Sequence, residues 1–163
     1  MSKTILLASA LVLATAGVAS AGGQAGAIGV GAEYELNGIG GLSLNYDAGK
    51  FHAGGWFRFI DPAGGNNTEF DIGGRFFYHL HSTAMADFSL GAGLGIASLP
   101  PGMMATNRRT EMYLEPGFQI RAFIASNVAL SFTGGISIGV IDASGVIISA
   151  QPEGIAGIHY YFF

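Results

Sequence analysis

From Arg109 to Ile124 the side chains alternate in polarity without a break, and this alternation limits the fold more than any other feature of the chain. The odd positions are Arg109, Glu111, Tyr113, Glu115, Gly117, Gln119, Arg121 and Phe123. The even positions are Thr110, Met112, Leu114, Pro116, Phe118, Ile120, Ala122 and Ile124. Successive side chains of an extended strand point to opposite faces, so the segment predicts a long strand with one polar and one apolar face.

The same period recurs along the chain. Glu69, Asp71, Gly73, Arg75, Phe77, His79 and His81 alternate with Phe70, Ile72, Gly74, Phe76, Tyr78 and Leu80. His52, Gly54, Trp56 and Arg58 oppose Phe51, Ala53, Gly55, Phe57 and Phe59. In 87–99 the polar side is thin: Asp87, Ser89, Gly91, Gly93, Gly95 and Ala97. Segments 25–36 and 128–140 alternate likewise, and 40–46 and 147–163 bring the expected number of strands to eight. Gly40, Gly41 and Leu42 blur the register of the second segment. Turn residues separate the segments: Asn37-Gly38, Asp47-Ala48-Gly49, Pro62 to Asn67, Ser82 to Ala86, Pro100 to Asn107, Ala125 to Asn127 and Ser144-Gly145. The expected fold class is all-β, an eight-stranded antiparallel up-and-down barrel forming one domain.

Alternation does not say which face is inside. A soluble barrel buries its apolar face, whereas a membrane barrel shows that face to lipid. Charged residues make up only 11% of the chain and apolar ones 50%, against the roughly 25% charge of a typical soluble domain. A face carrying Gly91, Gly93 and Gly95 would solvate the protein poorly, but small residues suit a narrow lumen. Tyr34, Tyr46, Phe51, Phe59, Phe70, Tyr78, Phe88, Phe118, Tyr160 and Phe162 fall on the apolar face, mostly toward strand ends, where aromatic girdles meet lipid headgroups. The apolar face is therefore expected outside, in a membrane. The formal charge of −4 offers nothing to a nucleic-acid backbone, and with no cysteine there is no disulfide or thiolate site.

Residues 1–21 read as a cleaved export signal. Lys3 supplies the positive start, Ile5 to Val18 the apolar run, and Ala19-Ser20-Ala21 the small-x-small cleavage pattern. The barrel domain is then 22–163. The other end reads His159-Tyr160-Tyr161-Phe162-Phe163. A terminal phenylalanine behind alternating aromatics resembles the insertion signal of bacterial outer-membrane barrels, carried here by Tyr161, Phe162 and Phe163. Taken with the eight amphipathic segments, the chain resembles the small OmpA-like and OmpX-like barrels of Gram-negative outer membranes. One detail departs. The parity that places Gln151 and Glu153 in the lumen also turns Phe163 inward, so either Phe162 takes the outward role or a bulge near Pro152 switches the parity.

The resemblance implies an outer-membrane location with both termini periplasmic, and a monomer surrounded by lipid and lipopolysaccharide. It also implies insertion by the barrel-assembly machinery and a polar plug in the lumen. The parity gathers Glu33, Glu35, Arg58, Asp71, Arg75, Glu111, Glu115, Arg121 and Glu153 on the inner face. Charges in so narrow an interior must pair, which predicts an ion-pair network. The functional alternative is a gated or proton-coupled path. Enzymatic sites are expected to be absent. Small barrels that remodel lipid act at the outer rim, while His52, His79, His81 and His159 all fall toward the periplasmic end. Apart from His79-x-His81 they lack a chelating spacing, so no metal and no cofactor are expected. The leading function is a non-enzymatic structural or surface-interaction protein. A narrow transport conduit is the second reading and a lipid-modifying enzyme the third. A lateral gap at Pro116 or Pro152 would favour the second. A serine–histidine pair at the external rim would favour the third.

Overall fold

The computed structural model describes residues 24–36, 40–63, 65, 67–101, 107–142 and 149–163. It contains β1 (Ile28–Glu35), β2 (Gly40–Asp47), β3 (Phe51–Ile60), β4 (Glu69–Ser82), β5 (Ala86–Leu99), β6 (Arg109–Ala125), β7 (Val128–Asp142) and β8 (Ser149–Phe162). Each strand pairs antiparallel with the next and β8 pairs with β1, so the sheet closes into an up-and-down barrel. The expected export segment 1–21, the turns Asn37-Gly38 and Ser144-Gly145, and most of the Pro100–Asn107 loop lie outside the described residues.

One end of the barrel is made by tight turns. In the β2–β3 turn Gly49 takes a positive φ of 83° and its amide donates to Asp47 Oδ1 at 2.9 Å. That left-handed geometry favours a glycine. In the β4–β5 turn the Thr83 hydroxyl accepts from the Ala86 amide at 3.0 Å. Ser126-Asn127 joins β6 to β7 at the same end, where β1 begins and β8 stops. We call this the turn end and the opposite one the loop end.

Leu42, Leu44, Ile72, Phe76, Leu94, Leu114, Ile120 and Leu130 all point outward and are 40–67% exposed. Arg58, Asp71, Arg75, Asp87, Arg121 and His159 point inward and are buried. This inverts a soluble protein, whose charges face water, and it gives the transmembrane type of barrel. The turn end of the lumen is closed by a small apolar cluster of Ala27, Phe123, Ala129 and Tyr161.

The structure corrects two expectations of parity. A register shift between His79 and His81 sets His81 opposite Phe88, so His81 leaves the polar face and is exposed. A bulge adds one residue and flips every side chain beyond it. At the other correction, β8 keeps one register against β7 from Ser149 to Tyr160, with no bulge at Pro152. Phe163 does not turn inward: the strand ends at Phe162, which points outward, and Phe163 beyond it is 65% exposed. The blurred second segment is a continuous strand, paired from Gly40↔Tyr34 to Tyr46↔Ile28.

Candidate functional site

The lumen is the site, because every strand sends its polar residues there. At the turn end Arg121 is wholly buried between Asp47 and Asp87. Its Nε donates to Asp87 Oδ2 at 3.0 Å and its Nη2 to Asp47 Oδ2 at 2.7 Å, while Nη1 donates to the Tyr161 hydroxyl at 3.0 Å. Nη2 also lies 3.1 Å from His79 Nε2. That nitrogen must accept from the guanidinium, which leaves His79 Nδ1–H to donate to the Gly49 carbonyl at 2.9 Å. His52 Nδ1 lies 2.8 Å from the same His79 Nε2. One cation thus ties β2, β4, β5, β6 and β8 together.

Above it, Arg75 bonds Glu33 in a buried ion pair, and its guanidinium stacks 5.4 Å from the Trp56 ring centroid. Gln119 donates to Thr133 Oγ1 at 2.9 Å. Ser43 Oγ lies 2.5 Å from His159 Nε2. Glu33 Oε1 is 3.5 Å from that same nitrogen, and His159 Nδ1 has no partner among the described residues. A nucleophilic triad needs serine and carboxylate on opposite ring nitrogens, and this buried pair lacks that arrangement. It also lies within the lumen and not at a rim. Among the described residues no group of three or more histidines or acids is placed to hold a metal.

Toward the loop end Arg58 lies between Glu35 at 3.9 Å and Asp71 at 3.8 Å. Asp71 Oδ1 accepts from the Tyr113 hydroxyl at 2.5 Å and from Trp56 Nε1 at 3.2 Å. Glycines make room for these rings. A Cβ at Gly73 would collide with the Trp56 indole, and one at Gly95 with the Tyr113 ring. Glu115 and Glu153 line one lumen cavity together with Arg75. Two cavities in the lumen are small, about 30 and 20 Å³, room for a water or two each.

Of the acids and arginines singled out in the sequence, the structure joins Glu33 to Arg75, and Arg58 to Asp71 and Glu35. It sets Glu111 apart on Arg109 at the loop end, and places Glu115 and Glu153 on one cavity. Arg121 takes partners outside that set, Asp47 and Asp87. Tyr161, grouped by sequence with the terminal aromatics, is a lumen residue on Arg121. Asp47 sits in a turn motif, and Ser43 is a lone hydroxyl on a glycine-rich strand. Only the alternation of β2 could have flagged either.

No protein-family model matches the sequence, and no curated protein matches it. The fold is shared with two solved barrels. The N-terminal β-barrel domain of Pseudomonas aeruginosa OprF superposes with a TM-score of 0.60 at 10% identity, covering 83% of this chain and 96% of that one. Neisserial surface protein A gives 0.51 at 18% identity, with 83% and 94% covered. The chain therefore has the fold of the small eight-stranded outer-membrane barrels.

Proposed function

We infer that the protein is an integral outer-membrane β-barrel without enzymatic activity, which reinforces the envelope or presents short loops to partners. The observation that carries this reading is the inverted surface. Large apolar side chains circle the outside while Arg121, Arg75, Asp71 and Asp87 are buried within. In water such a surface would aggregate, whereas in a bilayer it is solvated by acyl chains. The shared fold supports the same location, with residues 1–21 as the export signal. Both termini are then periplasmic, at the turn end, and the neighbours are lipid and lipopolysaccharide. Insertion would use the barrel-assembly machinery, and a filled lumen suits a monomer. Purified protein should need detergent and run faster on a gel unboiled than boiled, because a closed ladder yields only as a whole. A monomer soluble without detergent would end the membrane reading.

A second reading, a narrow conduit, is favoured by one observation. Between β6 and β7 the pairs Leu114↔Ile138 and Gly117↔Gly135 keep one register, but Glu115-Pro116 and Ile136-Ser137 between them are unpaired. A proline has no amide hydrogen to give a ladder. The ladder is interrupted there, beside the 20 Å³ cavity.

A further inference from the structure

The outer wall carries a groove of about 450 Å³, far larger than the lumen cavities of 30 and 20 Å³. Cross-strand pairing makes it. Leu44, Gly55 and Gly74 stand side by side on β2, β3 and β4, so two neighbouring lipid-facing positions carry no side chain. The next outward rank toward the loop end is Leu42, Phe57 and Ile72, and toward the turn end it is Tyr46, Ala53 and Phe76. These bound the gap without covering it. The Phe57 ring leans toward Phe70, 5.8 Å between centroids, and the Phe76 ring toward Phe51 at 5.0 Å, each away from the two glycines. Glycines elsewhere on the outer face are roofed by side chains. A Cβ at Gly134 would meet the Phe118 ring at 2.7 Å, and one at Gly154 would meet Leu36 at 2.7 Å. At Gly74 it would meet only the Gly54 carbonyl, 3.7 Å away, and at Gly55 only the Gly73 carbonyl.

We propose that this groove holds one acyl chain of a phospholipid, kept in place longer than the lipid passing along the rest of the wall. The site rests on the membrane reading and adds a bound ligand to it. The lining selects the occupant. Val30, Leu42, Leu44, Phe57 and Ile72 are apolar, and no charged side chain joins them. The one hydroxyl, on Ser43, is 3% exposed and bonded to His159. Small-molecule sites of ~300–1,000 Å³ fix their ligands with a few placed polar groups. With none free here, the groove recognises hydrocarbon alone. It is continuous with the lipid-facing surface, so a chain enters it without leaving the bilayer. A second copy of the protein fits poorly. Two-fold pairing sets one patch against itself, and two grooves face to face enclose a void that close packing disfavours. Lipopolysaccharide fits poorly as well, because its phosphates call for cations and none lines the groove. A zwitterionic phospholipid needs no such partner, and its flexible chain conforms to the gap.

The protein carries its own reporter. Trp56 is its single tryptophan, and its ring packs on Gly73, which lines the groove with it. Protein refolded with phosphatidylethanolamine brominated at mid-chain is washed into detergent micelles. Native mass spectrometry then counts lipid per monomer, and bromine quenching of Trp56 locates it. Wild type is expected to keep one lipid per monomer and to stay quenched. Gly74→Leu fills the gap without striking backbone and should lose both the lipid and the quenching. Phe57→Ala, which takes down one wall, should lose most of both. Ala122→Leu, exposed on the outer face of β6, should behave as wild type. A wild type that keeps no lipid overturns the site, whether or not the variants fold. So does a folded Gly74→Leu or Phe57→Ala protein that keeps both readouts. A dimer that Gly74→Leu dissolves would give the groove to a second copy, and retention of lipopolysaccharide in competition would give it to that lipid; either overturns the proposal. None of these results touches the membrane reading, which rests on the gel shift and the need for detergent.

Discussion

Replacing Arg121 with methionine removes a cation that is 0% exposed and that bonds two carboxylates, a tyrosine and a histidine at the turn end. Asp47 and Asp87 then remain at 0% and 2% exposure with no counter-charge at position 121. Breaking a buried pair from one side costs ~3–5 kcal/mol, mostly the penalty of the stranded charge. Two carboxylates are stranded here, which argues for the upper half of that range, a factor on the order of a thousand in the folding equilibrium. The same logic predicts a rescue. Arg121→Met combined with Asp47→Asn and Asp87→Asn leaves no net charge, and an asparagine at position 47 can still accept from the Gly49 amide that caps the turn. The triple variant should recover to within about 1–2 kcal/mol of wild type, because uncharged replacement of a buried ion group is often close to neutral. Urea unfolding of vesicle-inserted protein, read by gel mobility, measures each step. A cost under about 1 kcal/mol for Arg121→Met, or a triple variant no better than the single one, would refute the account of a buried latch.

Four further outcomes follow from the two faces of the wall. Arg75→Leu should destabilise by ~3–5 kcal/mol, softened by water in the adjoining cavity, because Glu33 loses its partner; the same urea titration reads it. Leu114 is 40% exposed on the outer face, so Leu114→Arg should cost ~2–4 kcal/mol in lipid while Leu114→Phe is nearly silent; a packed apolar interior would instead make Leu114→Phe cost ~1–3 kcal/mol. Gly95→Val should collide with the Tyr113 ring and lower the boiling-gel transition temperature, whereas a wide, open lumen would tolerate it. Single-channel recordings should show no steady porin-sized current, since the lumen cavities hold only about 30 and 20 Å³.

Alternation reveals the strands and their faces because period two is a local property, written in consecutive residues. Arg121, Phe118 and Ile120 could be sorted to inside and outside from β6 alone. What alternation does not contain is height. Asp87 shares the polar face of its segment with five small residues, yet it reaches Arg121 because hydrogen bonds between β5 and β6 pair the two positions directly. That register belongs to two strands and to the turn joining them, so neither strand reveals it. The same holds for Ser43 and His159, 116 positions apart and brought together by the closure of β1 on β8. The bulge after His79 is a different failure. His81 continues the polar rhythm of β4 in sequence, but the extra residue at Leu80 carries it outside.

The network also has a polarity along the barrel axis that bears on which end can move. At the turn end Arg121 makes short bonds to both of its carboxylates and is roofed by Phe123 and Tyr161, whose rings lie 5.5 and 5.9 Å from its guanidinium carbon. Such a cluster, dry and fully bonded, resists rearrangement, because any displacement exposes an unpaired charge before a new partner is reached. Toward the loop end the ion pairs are looser: Arg58 stands 3.9 Å from Glu35 and 3.8 Å from Asp71. Contacts that long leave room for water, which exchanges. The rigid latch therefore closes the end that begins and finishes the barrel, while the looser pairs lie toward the loop end. Stiffness where the sheet closes and slack toward the loop end is the distribution expected if rearrangement of the filled barrel begins at its loops.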